Sequence, residues 1–326
     1  MILERIGAFS ALVTTPITAI HVSQAGGFGR TLIRCEDDAL PALGYVCDAQ
    51  ALSAKLLATA GERTLGRVTA WRPDSTRVHV TIDENGTQYE IATRLLVIAD
   101  GGQYAGDDVA LRDYDQSAIV ARVRTEIVRR GTAFERFTAN GPLALLPFVE
   151  DEIALIWTVR ARDAAALVEQ SGERFLAALG AEFGHRLGRF IQVGPRASIG
   201  LKLWYRRSNT LAPRVIAIGN AAQTLHPVAG QGLNLGLRDA IELAAAARRT
   251  DRSALGDARF TDRYNSARRG DRRATIAATD SLVRIFSNES AWLRAARGAG
   301  LAALDLAPPA RRLLARRMML GLRGIP

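Results

Sequence analysis

The sequence predicts an α/β protein, and three stretches of the chain carry that prediction. Residues 215–219 form a short apolar, β-branched run that is typical of a strand buried on both faces of a parallel sheet. A polar loop follows, and a helix with one apolar stripe begins near Gly232. Residues 94–100 form a second buried strand, and residues 116–204 contain several strand-like runs that favour an additional sheet.

Composition limits the classes of protein to which the chain can belong. Its 326 residues are enough for one large or two modest domains with a sizeable core. No apolar run approaches the ~20 residues of a spanning helix, and no signal peptide is visible, so a cytoplasmic location is expected. The two cysteines and four scattered histidines form neither a disulfide framework nor a set of metal ligands, so no metal is expected.

The net charge of +10 lies entirely in the last quarter of the chain. Residues 248–326 contain 17 arginines against 7 acidic residues, whereas the preceding residues contain 26 basic and 26 acidic ones. A basic segment of this kind suits a membrane surface or a nucleic acid. We expect no nucleic-acid partner, because neither an aromatic-interleaved patch nor a binding motif accompanies the charge.

The first half of the chain predicts helices and hairpins in alternation. Residues 2–9 have helical spacing, and residues 17–34 fit two strands joined by a glycine turn. Asp48 precedes a predicted helix as its N-cap. Residues 77–92 form two alternating runs about Asn85-Gly86, a strong hairpin turn, before the buried strand that ends in an Asp-Gly turn.

The second half contains this additional sheet and a helical end. Its predicted strands are residues 118–123, 133–138, 143–148, 153–159, 190–193 and 197–204, with one helix over residues 163–183. A long helix covers residues 260–286, and Pro308-Pro309 then breaks the chain. The last helix has one stripe of Leu314, Met318 and Leu322 and another of Arg312, Arg316 and Arg323. That pattern fits either a membrane surface or packing on the chain's own domain.

The loop between the strand at residues 215–219 and its helix is the strongest candidate for a binding site. Gly230, Gly232 and Gly236 miss the dinucleotide fingerprint by one residue, and they lie too far from the strand to form its tight turn. A strand, a glycine-containing loop and a helix nevertheless direct backbone N–H groups toward an anion. A loop that merely turns the chain is the alternative.

This loop resembles the second flavin-binding motif of the class A aromatic hydroxylases. The matching residues are Gly219-Asn220-Ala221-Ala222-Gln223, His226-Pro227, Gly230-Gln231-Gly232, Asn234, Gly236 and Asp239. The Gly-Asn-Ala-Ala-Gln variant resembles the ubiquinone-biosynthesis hydroxylases, in the 2-polyprenyl-6-methoxyphenol hydroxylase branch. Further patches similar to that family are residues 134–138 and 141–147.

The resemblance implies a fold and its division into domains. It is a glutathione-reductase-like FAD-binding domain of the para-hydroxybenzoate hydroxylase type, interleaved with a mixed-sheet substrate domain. The expected FAD domain comprises residues 1–16, 40–115 and 205–265, the substrate domain comprises residues 17–39 and 116–204, and residues 266–326 form C-terminal helices.

The same resemblance implies the site residues. The cofactor would be FAD, with NAD(P)H as a transient reductant, and the helix start would face the flavin ring. The implied FAD-binding residues are Asp100, Gly101, Gly219, Asn220, Pro227, Gly230, Gln231, Gly232, Leu233 and Asn234. His226 is the candidate for a catalytic contact near the ring. Asp48 falls where a polar cofactor contact would be, which is an alternative to its plain capping role.

The implied activity is hydroxylation of a polyprenylated methoxyphenol, with O2 and NAD(P)H, in ubiquinone biosynthesis. A biosynthetic complex and a peripheral contact with the bacterial inner membrane are further expected partners. Two departures from the family stand out: Gln103-Tyr104 follows the Asp-Gly turn in place of Ser and Arg, and the given sequence is expected to begin after the family's G-x-G-x-x-G βαβ unit. We therefore expect weak FAD binding by this chain, and an inactive, truncated homologue that acts as a scaffold is the alternative function.

Overall fold

The structure, a computed structural model, describes residues 2–10, 12–61, 66–102, 108–286 and 290–321. The helices of this part are α1 (Ile2–Arg5), α2 (Ala49–Ala60), α3 (Ala161–Glu169), α4 (Gly172–Phe183), α5 (Gln231–Arg248), α6 (Ala258–Phe286), α7 (Ala291–Leu306) and α8 (Pro308–Leu320). The first strands are β1 (Thr14–Ile17), β2 (Ala19–Gln24), β3 (Arg30–Arg34), β4 (Gly44–Cys47), β5 (Arg67–Pro73), β6 (Val78–Glu84), β7 (Thr87–Thr93) and β8 (Leu96–Ile98). The later strands are β9 (Val109–Thr125), β10 (Thr132–Thr138), β11 (Gly141–Pro147), β12 (Ile153–Arg160), β13 (Phe190–Val193), β14 (Ala197–Arg206), β15 (Thr210–Ala212), β16 (Val215–Ala217) and β17 (Gln223–Thr224).

A small sheet around β16 lies at the base of the predicted binding loop. β16 pairs in parallel with β8 and antiparallel with β15, and each of its three residues is fully buried. Ile216 packs with Leu243 of α5 and with Phe260 and Tyr264 of α6. The prediction of a parallel strand buried on both faces is confirmed, and the helix after it begins at Gln231, one residue earlier than predicted.

A larger mixed sheet forms the second layer. In the described part of the chain its strand order is β17-β14-β9-β12-β11-β10-β2-β3, with β13 also paired to β9. β10 runs parallel to β2, while the other pairs are antiparallel. One face is covered by α3 and α4, where Phe175, Leu179 and Phe183 pack on side chains of β11 and β12. The other face points toward α5 and α6.

One predicted helix is in fact two. The prediction of a single helix over residues 163–183 is wrong, because α3 ends at Glu169 and α4 begins at Gly172. Gln170 adopts an extended conformation, and the Ser171 side chain accepts a 3.3 Å hydrogen bond from the backbone N–H of Arg174. This N-cap starts a new helix and turns the chain between two packed segments.

The predicted hairpins are confirmed, whereas the first helix is shorter than predicted. β6 and β7 turn at Asn85 and Gly86, both with positive φ, as a two-residue hairpin loop requires. β2 and β3 form the hairpin around the predicted glycine turn. Helix α1 ends at Arg5, just before Gly7 with a φ of +71°, and Phe9 instead packs edge-on against Tyr45.

The last two described helices pack on the strands formed by the start of the chain. The Thr31 hydroxyl donates to the carbonyl of Leu301 at 2.6 Å, and the Leu32 amide donates to Asp305 at 2.9 Å, so α7 covers the edge strand β3. Ala315 of α8 lies in a cluster with Ile33, Cys35, Leu43, Ile17, Ile20 and Met319. The stripe residues Leu322 and Arg323 lie outside the described residues. Across the described ranges, we find no helix with the length and apolar character that a membrane span requires.

Candidate functional site

The ends of two parallel strands bring the first group of predicted residues together. Ile98 of β8 pairs with Ala217 of β16, and the loops that follow both strands lie at the same edge of the sheet. A Cβ placed on Gly102 would lie 2.6 Å from the carbonyl oxygen of Asn220, so the two loops are in direct contact. The structure therefore places Asp100 and Gly101 beside the Gly219-Asn220 turn.

Asp100 is exposed, and part of its hydrogen-bonding capacity serves its own turn. Its carboxylate accepts a 3.0 Å hydrogen bond from the amide of Gly102. This bond holds the turn, and among the described residues the second carboxylate oxygen has no partner and can accept a hydrogen bond from a ligand. Gln103 and Tyr104, where the sequence departs from the family pattern, lie outside the described residues.

The Gly219 turn is packed directly on helix α5. Gly219 has a φ of +58°, in the left-handed region that favours glycine. A Cβ on Gly236 would lie 3.3 Å from the Cα of Gly219, so side chains are excluded where the turn crosses the helix. Gly236 lies one turn beyond Gly232 on the same helix face. The strand end and the helix start consequently form one continuous backbone surface.

An open backbone cradle lies at the start of α5. Gly230 is the N-cap with a φ of +61° and no side chain to cap the helix, so the first N–H groups have no capping partner. A Cβ on Gly230 or on Gly232 would meet no atom within 4 Å, which means that free space lies in front of this backbone. The N-terminus of an 18-residue helix favours negative charge in that space. An electron-rich group that approaches backbone closely fits here, as the pyrimidine end of a flavin does.

The other predicted residues of this loop have different environments. The Gln231 side chain is 5% exposed and donates to the carbonyls of Ala229 and Met318, both at 3.0 Å, so it ties the loop to α8 and does not face the cradle. Leu233 is 58% exposed. The Asn234 amide donates to the carbonyl of Gly230 at 3.4 Å. Gln231 can therefore serve a ligand in this cradle through its backbone only.

His226 lies within the protein behind this loop. It is 1% exposed, and burial lowers its pKa from 6.5 to about 4, so the imidazole is neutral at physiological pH. Its Nδ1 accepts a 3.2 Å hydrogen bond from the amide of Val228, which leaves the proton on Nε2. Nε2 is buried and has no hydrogen-bond partner in the described structure. His226 can donate a hydrogen bond from Nε2, but it cannot serve as a general base near pH 7.

A buried ionic network supports the loop from below, and our reading of the sequence missed it. Asp239 accepts hydrogen bonds from the Gly219 amide at 3.2 Å, from Gln223 at 2.7 Å and from Arg268 at 2.7 Å. Burial alone would lower the pKa of Arg268, but Asp239 and then Asp271 raise it. The acidic residue that ends the motif thus fixes the Gly219 turn, the next strand and helix α6 relative to one another.

Two further arginines extend this network. Arg238 pairs with Asp271 at 2.9 Å, and both side chains are at most 4% exposed. Arg272 donates to Gln223 and Asn209, and also to the carbonyl of Arg206. With three arginines and two aspartates, the network carries one net positive charge directly behind the cradle. Such a field favours an anionic ligand. The sequence signal was the pair of arginines one helical turn apart, Arg268 and Arg272.

The large sheet closes the site on the opposite side. Phe137 of β10 packs with Val228 of the loop and with Val283 of α6. Side chains that share this face form a row across five strands, set by the strand register: Val22, Glu135, Ala144, Ile156 and Val120. Each member of the row keeps part of its surface accessible, whereas Phe134, Leu145 and Leu155 on the other face are buried. The face toward the cradle is therefore an apolar surface that remains accessible.

Glu135 is the ionisable member of that row, and the sequence reasoning did not select it. Burial raises the pKa of its carboxyl from 4.5 to about 7. Its Oε1 has no hydrogen-bond partner in the described part of the protein. A carboxyl that titrates near neutral pH beside an apolar surface is able to exchange a proton with a bound ligand.

Comparison with known proteins identifies the family. A family model described as an FAD-binding domain matches residues 54–278. The chain is 35% identical to the ubiquinone hydroxylase UbiL of Rhodospirillum rubrum, over 98% of this chain and 76% of that protein. The chain belongs to the FAD-dependent ubiquinone hydroxylase family. It is also 30% identical to the human mitochondrial ubiquinone biosynthesis monooxygenase COQ6, over 71% of this chain but only 58% of that protein.

Solved structures of other flavoenzymes share the fold of this family member. The p-nitrophenol 4-monooxygenase PnpA from Pseudomonas putida matches 98% of this chain and 86% of its own, with a TM-score of 0.75 and 13% identity. Klebsiella pneumoniae HpxO, solved with FAD and uric acid, matches 100% of this chain and 85% of its own, with a TM-score of 0.72 and 16% identity. The predicted fold, an FAD-binding domain interleaved with a mixed-sheet domain, is confirmed.

Proposed function

We propose that this chain is a flavin-dependent monooxygenase that hydroxylates an electron-rich, polyprenylated methoxyphenol in ubiquinone biosynthesis. The observation that carries the proposal is the meeting of two surfaces at Phe137 and Val228. One is the open backbone cradle at Gly230 and Gly232, and the other is the accessible apolar row that contains Glu135. The cradle suits a flavin, and the row suits a phenol with a hydrocarbon tail. The names of the relatives support the pathway.

The residues that would hold FAD are those at the two strand ends and the helix start. Gly230 and Gly232 offer backbone that a planar ring can approach closely, because no atom lies within 4 Å of a Cβ placed on either. Gly219 and Asn220 would contact the cofactor from the strand end. Pro227 shapes the loop by accepting the 3.0 Å hydrogen bond of the Gly230 amide. Asp100, Gly101, Leu233 and Asn234 border the same edge. When bound and reduced by NAD(P)H, FAD would activate O2, of which one oxygen atom is transferred to the phenol and the other leaves as water.

The chain's own groups would orient the phenol and accept its proton. Val22, Ala144 and Ile156 would hold the ring and the start of the prenyl tail and keep water away. Glu135 would accept the phenol proton, because a more electron-rich phenolate reacts faster with an electrophilic oxygen. His226 would donate a hydrogen bond from Nε2 within the site, in agreement with its neutral state.

We also propose the domain division and the membrane contact as expectations of this function. The small sheets of β8, β15 and β16 and of β5–β7 lie within the FAD domain of residues 1–16, 40–115 and 205–265. Most of the large sheet lies within residues 17–39 and 116–204. On α8, Arg312 and Leu313 are exposed side by side, which supports contact with an anionic membrane that contains the substrate.

A direct assay tests the proposed reaction. The purified chain, saturated with FAD, is supplied with NADPH or NADH, O2 and a methoxyphenol that bears a short prenyl chain. We expect substrate-dependent NAD(P)H oxidation and a product heavier by one oxygen atom, which mass spectrometry with 18O2 would detect. An 18O label from water and not from O2 would contradict the proposal. FAD retention after desalting gives a readout that does not require turnover.

A further inference from the structure

A cleft lined by three arginines lies outside the site described above. It has a volume of about 550 Å3 and opens between the β2–β3 hairpin, β10, the loop after α4 and the end of α7. Arg30, Arg136 and Arg186 line it, together with Ser23. Arg136 alternates with Phe137 along β10, so this arginine points to the sheet face opposite the flavin cradle.

The arginine side chains are organised around one buried hydroxyl. Ser23 is 3% exposed, and its Oγ accepts hydrogen bonds from Arg186 at 3.2 Å and from Arg136 at 3.5 Å. Arg136 also donates to the carbonyl of Glu182 at 3.2 Å. Because the Ser23 oxygen accepts from two cations, its own O–H remains free to donate. The cleft therefore offers two fixed guanidinium groups and one hydroxyl donor.

The positive charge of this cleft is only partly compensated, by Glu182 near Arg136 and by Asp305 in the lining. Throughout the described ranges, Arg30, Arg136 and Arg186 form no ion pair with a carboxylate. Burial and then the charge of Arg30 lower the pKa of Arg186. Burial and then the charge of Arg186 lower the pKa of Arg136, and Glu182 offsets part of that shift. The groups therefore repel one another. The neighbouring His21 adds no charge, because burial and then Arg186 lower its pKa to about 4.

One carboxylate does line the cleft, and it has other partners. Asp305 accepts a 2.9 Å hydrogen bond from the Leu32 amide and lies 3.9 Å from Arg311. The rim of the cleft is apolar, because Phe28 is 60% exposed and Leu306 is 84% exposed. An anion seated among the arginines could place an attached apolar or planar group against these two side chains.

We propose that this cleft binds a phosphate ester, with Arg30, Arg136, Arg186 and Ser23 as its binding groups. Guanidinium groups match phosphate oxygens in pairs, and a partly compensated arginine cluster is relieved by a polyanion. The ligand could be a lipid headgroup or a nucleotide, since both present this chemistry. The site is separate from the proposed hydroxylation, and its test does not require turnover.

Isothermal titration with pyrophosphate tests the site on the full chain. We expect the wild type to bind it, and the double variant Arg136→Gln/Arg186→Gln to bind about a hundredfold more weakly, because each of the two lost charged hydrogen bonds weakens binding about tenfold. Arg174→Gln is the matched control, since Arg174 is exposed on α4 and does not line the cleft. Equal affinity in the double variant and the control, or no binding by the wild type, would overturn the proposal.

A single variant, Arg30→Gln, tests the site even if the double variant does not fold. The Arg30 side chain is exposed and has no hydrogen bond or ion pair in the described structure, so we expect Arg30→Gln to leave the fold unchanged. We expect it to weaken pyrophosphate binding about tenfold with an unaltered thermal melt. Unchanged binding by this variant would remove Arg30 from the site and contradict the proposal as stated.

Competition identifies the source of the phosphate. Short-chain phosphatidic acid and NADPH are each titrated against bound pyrophosphate. Displacement by the lipid alone assigns a headgroup site, with the chains on Phe28 and Leu306, and displacement by NADPH alone assigns a nucleotide site. Displacement by neither would overturn the assignment to a phosphate ester.

Discussion

Asp239 and Arg268 form a 2.7 Å ion pair in which neither side chain is more than 1% exposed. The pair joins α5 to α6, and through the Gly219 amide it also reaches the turn after β16. The position of the open backbone cradle at the start of α5 thus depends on a charge pair inside the protein core.

Replacing one member of this pair should strongly destabilise the fold. Asp239→Asn leaves Arg268 buried with less compensation, so we expect the free energy of unfolding to fall by about 3–5 kcal/mol. Urea denaturation measures the loss. Arg130→Gln is the control, because Arg130 pairs with Asp151 at 2.8 Å but is 82% exposed, so its loss should hardly change the free energy of unfolding. Similar losses in both variants would show that the buried pair contributes no more to the free energy of unfolding than the exposed pair does.

Gly232→Val should eliminate FAD retention without unfolding the protein. The new side chain would occupy the free space before the helix start, where its Cβ meets no protein atom. We expect FAD affinity to fall about a hundredfold, as when one or two charge-assisted hydrogen bonds are lost, while the thermal melt of the apoprotein stays nearly unchanged. Gly270→Val is the control, since Gly270 is helical and equally unobstructed but lies on α6. Equal FAD retention in the two variants would place the cofactor elsewhere.

Glu135 should set the pH dependence of the reaction. Because its folded pKa is about 7, we expect kcat/KM to rise as pH increases through 7 and the carboxylate forms. Glu135→Gln should lower kcat/KM about a hundredfold at pH 8 and remove this rise, if the residue acts as a base. A Gln variant that keeps the wild-type pH profile would exclude the proposed role.

The same carboxyl should affect stability with a defined sign. Its pKa is raised from 4.5 to about 7 on folding, so the folded state holds the proton more tightly. Between these pH values the protein should lose stability as pH rises, and Glu135→Gln should lose less. Melting temperatures of the wild type and of Glu135→Gln at pH 5 and pH 8 test this. An identical pH dependence in the two proteins would contradict the expectation.

The proposed membrane contact should depend on the exposed residues of α8. Arg312→Glu/Leu313→Glu changes two exposed side chains without touching Ala315 or Met319 in the packed cluster. Each arginine near an anionic surface contributes about 1 kcal/mol, so we expect at least a fivefold loss of binding to phosphatidylserine vesicles in a sedimentation assay. Arg174→Glu is the control for charge. Unaltered sedimentation of the double variant would show that α8 is a purely internal helix.

Sequence patterns predicted those parts of the fold that depend on residues close together in the chain. β16 was recognisable because five consecutive apolar or small residues seldom occur outside a buried element, and the β6–β7 hairpin because Asn85-Gly86 fits its turn. The break between α3 and α4 also had a local sign, the capping residue Ser171, but the apolar spacing on either side concealed it.

Features that depend on distant partners were not predictable in this way. Glu135 stands in an alternating strand, where a polar residue ordinarily faces water, and its burial depends on which face other elements cover. Arg268 and Asp239 are 29 residues apart, and nothing in either helix alone shows that they meet. The resemblance supplied the flavin motif, whereas the charges that support it emerged only from the tertiary structure.

The cover that α7 provides for β3 has a consequence for biosynthesis. The contacts of Thr31 and Leu32 lie 270 and 273 residues further along the chain. At a translation rate of roughly 5–20 residues per second, the hairpin leaves the ribosome some 15–50 s before its partners exist. During that interval its edge is open to pairing with other nascent strands. Chaperone dependence and co-translational aggregation should therefore respond to the β3 sequence more than to that of the interior strands.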